Sequence, residues 1–184
     1  GRYGPESILP YSYAGTMGLL NGNGMDRRFF HRLGASRLDR TICSTAGMVG
    51  MTEAYGVRYS METEQFRNAK LILGWGANIH GTNVHLWPFV QEAMRNGAKL
   101  YVIDPVKTRT GAVAHKHFAI QPGTDMALAL GMMHVIFSEG LEDREYLSKH
   151  ARNVEELKQH VAAYPPDRVA GLTGIAKEEI VALA

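Results

Sequence analysis

Residues 69–105 constrain the fold more than any other stretch. Ala69-Lys70-Leu71-Ile72-Leu73-Gly74-Trp75-Gly76 is a short apolar run closed by glycine. Such a run marks a buried strand. Leu86, Phe89, Val90, Ala93 and Met94 then recur at helical spacing and share one face. Pro88 belongs in a first turn, so this helix is expected to start a few residues after Thr82, and Gly97 fits its stop. Lys99-Leu100-Tyr101-Val102-Ile103 is a second apolar run, ended by Asp104-Pro105. A strand, a crossover helix and a strand make a right-handed βαβ unit with parallel strands.

The pattern continues beyond this unit. Residues 106–113 read as a loop and 117–120 as a third strand. Pro122-Gly123-Thr124-Asp125 then offers Thr124 or Asp125 as the cap of a helix over 126–138. That helix is apolar on most sides, so burial is expected. Residues 144–150 and 154–163 read as helices, and Pro165-Pro166 breaks the chain before a last short helix from Lys177. Composition shifts near residue 65. Before it the chain is rich in Gly, Met, Tyr, Ser and Thr, and only 25–33 and 47–55 look helical. Gly15, Gly18, Gly22 and Gly24 mark tight turns or close backbone approaches. The expected class is α/β: a Rossmann-like parallel sheet flanked by helices over 65–184, preceded by an irregular and helical segment over 1–64.

Charge and cysteine content narrow the function. The 184 residues carry 20 Lys and Arg against 18 Asp and Glu, a net +2 without a basic tract. This argues against a nucleic-acid binder. No apolar run approaches the roughly 20 residues of a membrane helix. The one cysteine, Cys43, excludes a disulfide framework, a four-cysteine zinc site or a self-contained iron–sulfur cluster within these residues. The histidines form no metal signature: His80 and His85 are five apart, and His115 and His117 flank Lys116 with no third ligand nearby. Asp26-Arg27-Arg28 with Arg32 is a basic helical face, suited to solvent or to an anionic cofactor. The chain starts at Gly1 and ends in an uncapped helical stretch, so a piece of a longer protein is expected.

Ligands of parallel α/β sheets sit beyond the carboxyl ends of the strands. Three loops qualify: Gly74-Trp75-Gly76-Ala77-Asn78, Asp104-Pro105 with 106–110, and Gln121-Pro122-Gly123-Thr124-Asp125. Glycine permits close approach to phosphate, and a strand-end Asp accepts bonds from ribose hydroxyls. Gly74, Gly76 and Gly81 do not have the dinucleotide-fingerprint spacing. On pattern alone these loops are either a nucleotide site or ordinary turns and caps. Cys43, followed by small residues and a helical stretch, is either a soft-metal ligand or nucleophile, or a buried inert thiol.

Taken together, Leu73-Gly74-Trp75-Gly76-Ala77-Asn78, Gly97 through Pro105, Thr108 and Thr110, and Pro122-Gly123-Thr124-Asp125-Met126-Ala127-Leu128 resemble the molybdopterin oxidoreductases of the dimethyl-sulfoxide-reductase family. Gly171-Leu172-Thr173-Gly174-Ile175 with Glu178, Glu179 and Ile180 adds to the likeness, which spans nearly the whole chain. The resemblance implies a bis-molybdopterin guanine dinucleotide cofactor holding Mo or W. It implies Cys43 as the metal ligand, with Ser44 the minor alternative. It also implies Gly76 and Asn78 near a phosphate or pterin, Asp104 on the guanosine ribose, Asp125 on the guanine or its ribose, and Gly123 and Thr124 shaping that pocket. Val106, Gln121 and His115 or Lys116 depart from the family pattern, and Lys107 is placed to replace a missing cation. A [4Fe–4S] cluster, the remaining domains, electron-transfer subunits and a small-molecule substrate are expected of the full-length protein. The implied activity is two-electron redox or oxygen-atom transfer, which this piece alone is not expected to perform. The alternatives are a redox-inactive scaffold like that in the large subunit of respiratory complex I, or a free-standing nucleotide-binding module.

Overall fold

The structure, a computed structural model, describes residues 2–13 and 24–184. It divides into two compact units, Gly1–Ser60 and Met61–Ala184. Gly15, Gly18 and Gly22 lie outside the described residues.

The first unit has two α-helices among its described residues, α1 (Met25–Leu33) and α2 (Thr45–Tyr55). Each ends on a glycine in the left-handed region, Gly34 at φ 84° and Gly56 at φ 75°, where a side chain would be strained. Helix α2 starts two residues before the expected 47. Its first residue, Thr45, donates its hydroxyl to the Arg40 carbonyl at 3.2 Å. The Arg40 guanidinium donates to the Ser12 carbonyl and hydroxyl at 2.9 and 2.7 Å. Polar staples of this kind hold the unit, because none of its described residues is buried.

The second unit is built on a sheet of three parallel strands among the described residues. These are β1 (Leu71–Trp75), β2 (Lys99–Ile103) and β3 (Lys116–Phe118), in spatial order β1-β2-β3. Ile72 pairs with Leu100, and Val102 with His117. The β1–β2 crossover holds a short turn of helix, α3 (Ile79–Thr82), and then α4 (Trp87–Arg95), with Pro88 in its first turn. Next come α5 (Arg109–Val113), α6 (Asp125–Ser138), α7 (Arg144–His150), α8 (Val154–Val161), α9 (Pro166–Thr173) and α10 (Lys177–Leu183).

Successive strand residues point to opposite faces, so the sheet fills two cores. One gathers Ile72, Leu100 and Val102 with Leu86, Val90 and Ala93 from the β1–β2 crossover. The other gathers Ile103 and Phe118 with Leu128 of α6, Val169 of α9, and Ile180 and Leu183 of α10. Helices thus cover both faces, as the apolar strand runs require. Gly131 lets α6 and α9 approach, since a Cβ there would lie 2.8 Å from Val169.

Several expectations need correction. Residues 109–113 are helical, because the Thr108 hydroxyl accepts from the Gly111 N–H at 3.2 Å and caps a turn. The prolines at 165 and 166 do not keep the chain non-helical up to Lys177. Pro166 opens α9, since proline's fixed φ suits the first helical position. The third strand is displaced to 116–118. Helix α6 is buried along Leu128, Leu130, Gly131 and Val135, yet Met126 is 71% exposed. Thr124 occupies the N-cap position, but its hydroxyl donates to the Gln121 carbonyl at 2.7 Å and caps nothing.

One acid is set inside the helical layer. The Glu142 side chain is 4% exposed, and its Oε1 lies 3.2 Å from Arg144 Nε and 3.6 Å from Lys158 Nζ. A bond from its own backbone N–H lowers its pKa below the ordinary glutamate value, and Arg144 and Lys158 add to this against the effect of burial.

Candidate functional site at the carboxyl edge of the sheet

The loop after β1 turns at Gly76, whose φ is +57° and whose N–H donates to the Ile103 carbonyl at 2.8 Å. Two residues on, Asn78 caps the turn of α3 in sequence position, but its carboxamide is committed elsewhere. Its Oδ1 accepts from the Thr110 hydroxyl at 3.0 Å, and the same hydroxyl accepts from the His80 N–H at 3.0 Å. Thr110 is fully buried. Its hydroxyl uses both its donor and an acceptor to tie the β1 loop to α5, which follows β2. The carbonyl end of Asn78 is therefore a strut, and its NH2 end lies over Gly81, where a Cβ would collide with it. The His80 ring stacks on Trp87 with centroids 4.4 Å apart.

After β2, the Asp104 carboxylate accepts from the Val106 N–H at 2.8 Å. This turn, closed by an aspartate side chain onto backbone two residues ahead, reverses the chain. The Asp104 N–H donates to the Phe118 carbonyl at 3.1 Å, and the Asp104 carbonyl is bonded to His117 Nε2 at 2.9 Å. His115 likewise serves the backbone: its Nδ1 accepts from the Leu100 N–H at 3.0 Å. Both histidines lock β3 and its approach against β2. Among the described residues no three His, Cys, Asp or Glu side chains converge on a common metal position.

The third loop carries Gly123 at φ +81°, with open space where a Cβ would project, and then Thr124 and Asp125. The Gln121 N–H donates to the Thr173 carbonyl at 2.9 Å, so the loop is anchored to α9. Asp125, first residue of α6, accepts from Trp75 Nε1 at 2.7 Å. That bond joins the end of β1 to the start of α6. Trp75 and Thr110, which the sequence carries within its motifs without marking a role for them, tie these loops together. Trp75 stands in the Leu73–Asn78 stretch that carries the family resemblance, and Thr110 is one of its two spaced threonines.

Gly76, Asn78, Asp104, Gly123 and Thr124 belong to the loops after the three strands, and Asp125 opens the helix that follows the third of these loops. Cys43 belongs to the first unit. It is exposed and precedes the N-cap residue Ser44 of α2.

Comparison with known proteins agrees with this architecture. The profile of the molybdopterin oxidoreductase family matches residues 11–166. The probable oxidoreductase YoaE of Bacillus subtilis (strain 168) is 47% identical over 181 residues, covering 98% of this chain and 27% of YoaE. Formate dehydrogenase H of Escherichia coli (strain K12) is 29% identical over 188 residues, covering 97% of this chain and 26% of that enzyme. Among solved structures, acetylene hydratase from Pelobacter acetylenicus matches with a TM-score of 0.70 at 30% identity, over 87% of this chain and 22% of the hydratase. The chain thus spans about a quarter of the length of the curated relatives it matches. With a parallel sheet covered on both faces, glycine and aspartate loops at its carboxyl edge and the family profile running across most of its length, the chain belongs to the molybdopterin oxidoreductase family.

Proposed function

We propose that this chain holds part of a bis-molybdopterin guanine dinucleotide cofactor in a longer Mo or W enzyme acting on a small substrate. The observation that carries the reading is the grouping of Gly76, Asp104, Gly123 and Asp125 on the loops after the strands and the helix start that follows them, two acids and two positive-φ glycines. The residues fit the group chemically. Carboxylates accept from ribose hydroxyls and guanine N–H groups, and glycine loops admit phosphate. An exposed thiol suits a soft metal already held by dithiolene sulfurs.

In this reading Asp104 takes the guanosine ribose and Asp125 the guanine or its ribose. Gly123 and Thr124 shape that pocket, while Gly76 and the Asn78 NH2 group lie toward a phosphate or the pterin. Cys43 supplies the protein ligand to the metal. The cofactor supplies two-electron redox or oxygen-atom transfer when bound, and the chain's residues bind and orient it. A protein named as a hydratase and one named as a dehydrogenase both match this chain, the first in structure and the second in sequence. That supports a common cofactor platform, with the substrate chosen elsewhere in the longer protein. A [4Fe–4S] cluster and electron-transfer subunits belong to those other parts.

The test is elemental and nucleotide analysis of the full-length protein from a host competent to make the cofactor. About two GMP per Mo or W on acid hydrolysis, with iron present, is the expected result. Protein free of metal and guanine would overturn the reading and leave a scaffold of the kind found in complex I.

A further inference from the structure

Resting on the reading that Asp125 contacts the nucleotide base, we propose that Trp75 is a positioning residue that orients the Asp125 carboxylate for guanine. The two side chains lie 50 residues apart, yet Trp75 Nε1 donates to Asp125 Oδ1 at 2.7 Å. An indole N–H is a donor only, and its bond to an ionised carboxylate is short and charge-assisted. Trp75 is the last residue of β1, paired in register with Ile103, and packs against the second core. Its donor is therefore fixed by the sheet.

Asp125 lacks that rigidity. It is exposed, at the first position of α6, and the torsion that turns an aspartate carboxylate is broad. Left alone, the carboxylate would sample many planes. The indole removes this freedom while using one of about four lone-pair sites. Both oxygens keep acceptor capacity.

A carboxylate fixed in this way matches two adjacent N–H donors, which is what guanine presents on its N1 and N2 edge. Adenine presents one exocyclic donor beside a ring acceptor that a carboxylate repels. Discrimination between the bases depends on both oxygens meeting both donors, so it depends on the plane of the carboxylate. Trp75 sets that plane.

The test uses the full-length protein purified from a host unable to make the cofactor, titrated calorimetrically with GDP and with ADP. Trp75→Phe keeps the ring and removes the N–H. The expected result is roughly tenfold weaker GDP binding, with ADP binding and the melting temperature unchanged. The double variant Trp75→Phe, Asp125→Ala should bind GDP no more weakly than Asp125→Ala alone, because Trp75 acts through Asp125. Wild-type preference for GDP combined with a Trp75→Phe variant that binds GDP normally would overturn the proposal. So would equal losses toward GDP and ADP with a lowered melting temperature, since Trp75 would then be only a staple between β1 and α6. A wild-type protein that does not prefer GDP would instead remove the guanine reading of the whole edge, and this inference with it.

Discussion

The two units of this chain are stabilised by different means. In Met61–Ala184, strands and helices bury two apolar clusters on opposite faces of one sheet. In Gly1–Ser60, no described residue is buried, and Met25, Phe29 and Leu33 stand exposed at helical spacing along α1. A segment that buries so little gains little hydrophobic stabilisation of its own. The contrast matches the work proposed for each. A nucleotide platform must hold atoms from three loops in fixed relation, which a packed sheet does. A segment offering one metal ligand needs only a local turn and a helix start.

Substitutions can break or sharpen this contrast. The largest loss should come from Leu100→Ala in the centre of β2, where the side chain is fully buried. About 3 kcal/mol is expected, read from thermal or urea unfolding of the chain. Val49→Ala on exposed α2 should cost less than about 0.5 kcal/mol in the same measurement. Similar losses at the two sites would abolish the distinction between the units.

Thr110→Val comes next. It leaves the His80 N–H and the Asn78 Oδ1 without their shared partner in a buried place. The cost should be roughly 2 kcal/mol, and hydrogen exchange should rise first at His80. Gly131→Ala should cost about 1 kcal/mol. The new methyl crowds Val169, an overpacking penalty of roughly 1–3 kcal/mol that the gain in helix propensity partly offsets.

A smaller effect is tied to pH. The folded pKa of Glu142 lies below its ordinary 4.5. Its contribution is therefore fully present above 4.5 and is lost as pH falls through the lower folded value. Glu142→Gln should lower the unfolding midpoint at neutral pH and flatten the acid limb of a stability–pH curve. An unchanged acid limb would show that the pairing with Arg144 and Lys158 has no part in it. The smallest effect on stability belongs to Cys43→Ala, since the side chain is exposed. Its effect on the metal should be large: the holoenzyme's electron paramagnetic resonance spectrum should lose the signature of a protein thiolate. Identical spectra from both forms would remove Cys43 as the ligand.

Much of the second unit was legible in the sequence. Apolar runs of five residues closed by glycine, and a helical face between them, were enough to place β1, α4 and β2. Gly97, at φ +96°, does stop the helix as expected. Less legible were the short elements. Helix α5 depends on one threonine hydroxyl reaching one backbone N–H, and α9 begins at a proline that reads equally well as a breaker. Periodicity has too few residues to act on in such elements. In the first unit the two helices were legible, α1 at its expected bounds and α2 two residues early, whereas the polar bonds from Arg40 to Ser12 and from Thr45 to Arg40 leave no periodic signal to read.

The sequence by itself determined the class of this chain: the period of its apolar residues requires a parallel sheet covered by helices, and the glycines and aspartates at the strand ends mark where a ligand can lie. Only the tertiary structure decided which of those residues face one another. Trp75 reaches Asp125 across 50 residues of chain, and Thr110 reaches Asn78 across 32. The reason is physical. Periodicity records which side of an element meets the core, whereas a bond between distant loops is fixed by strand order, register and the helices packed between them.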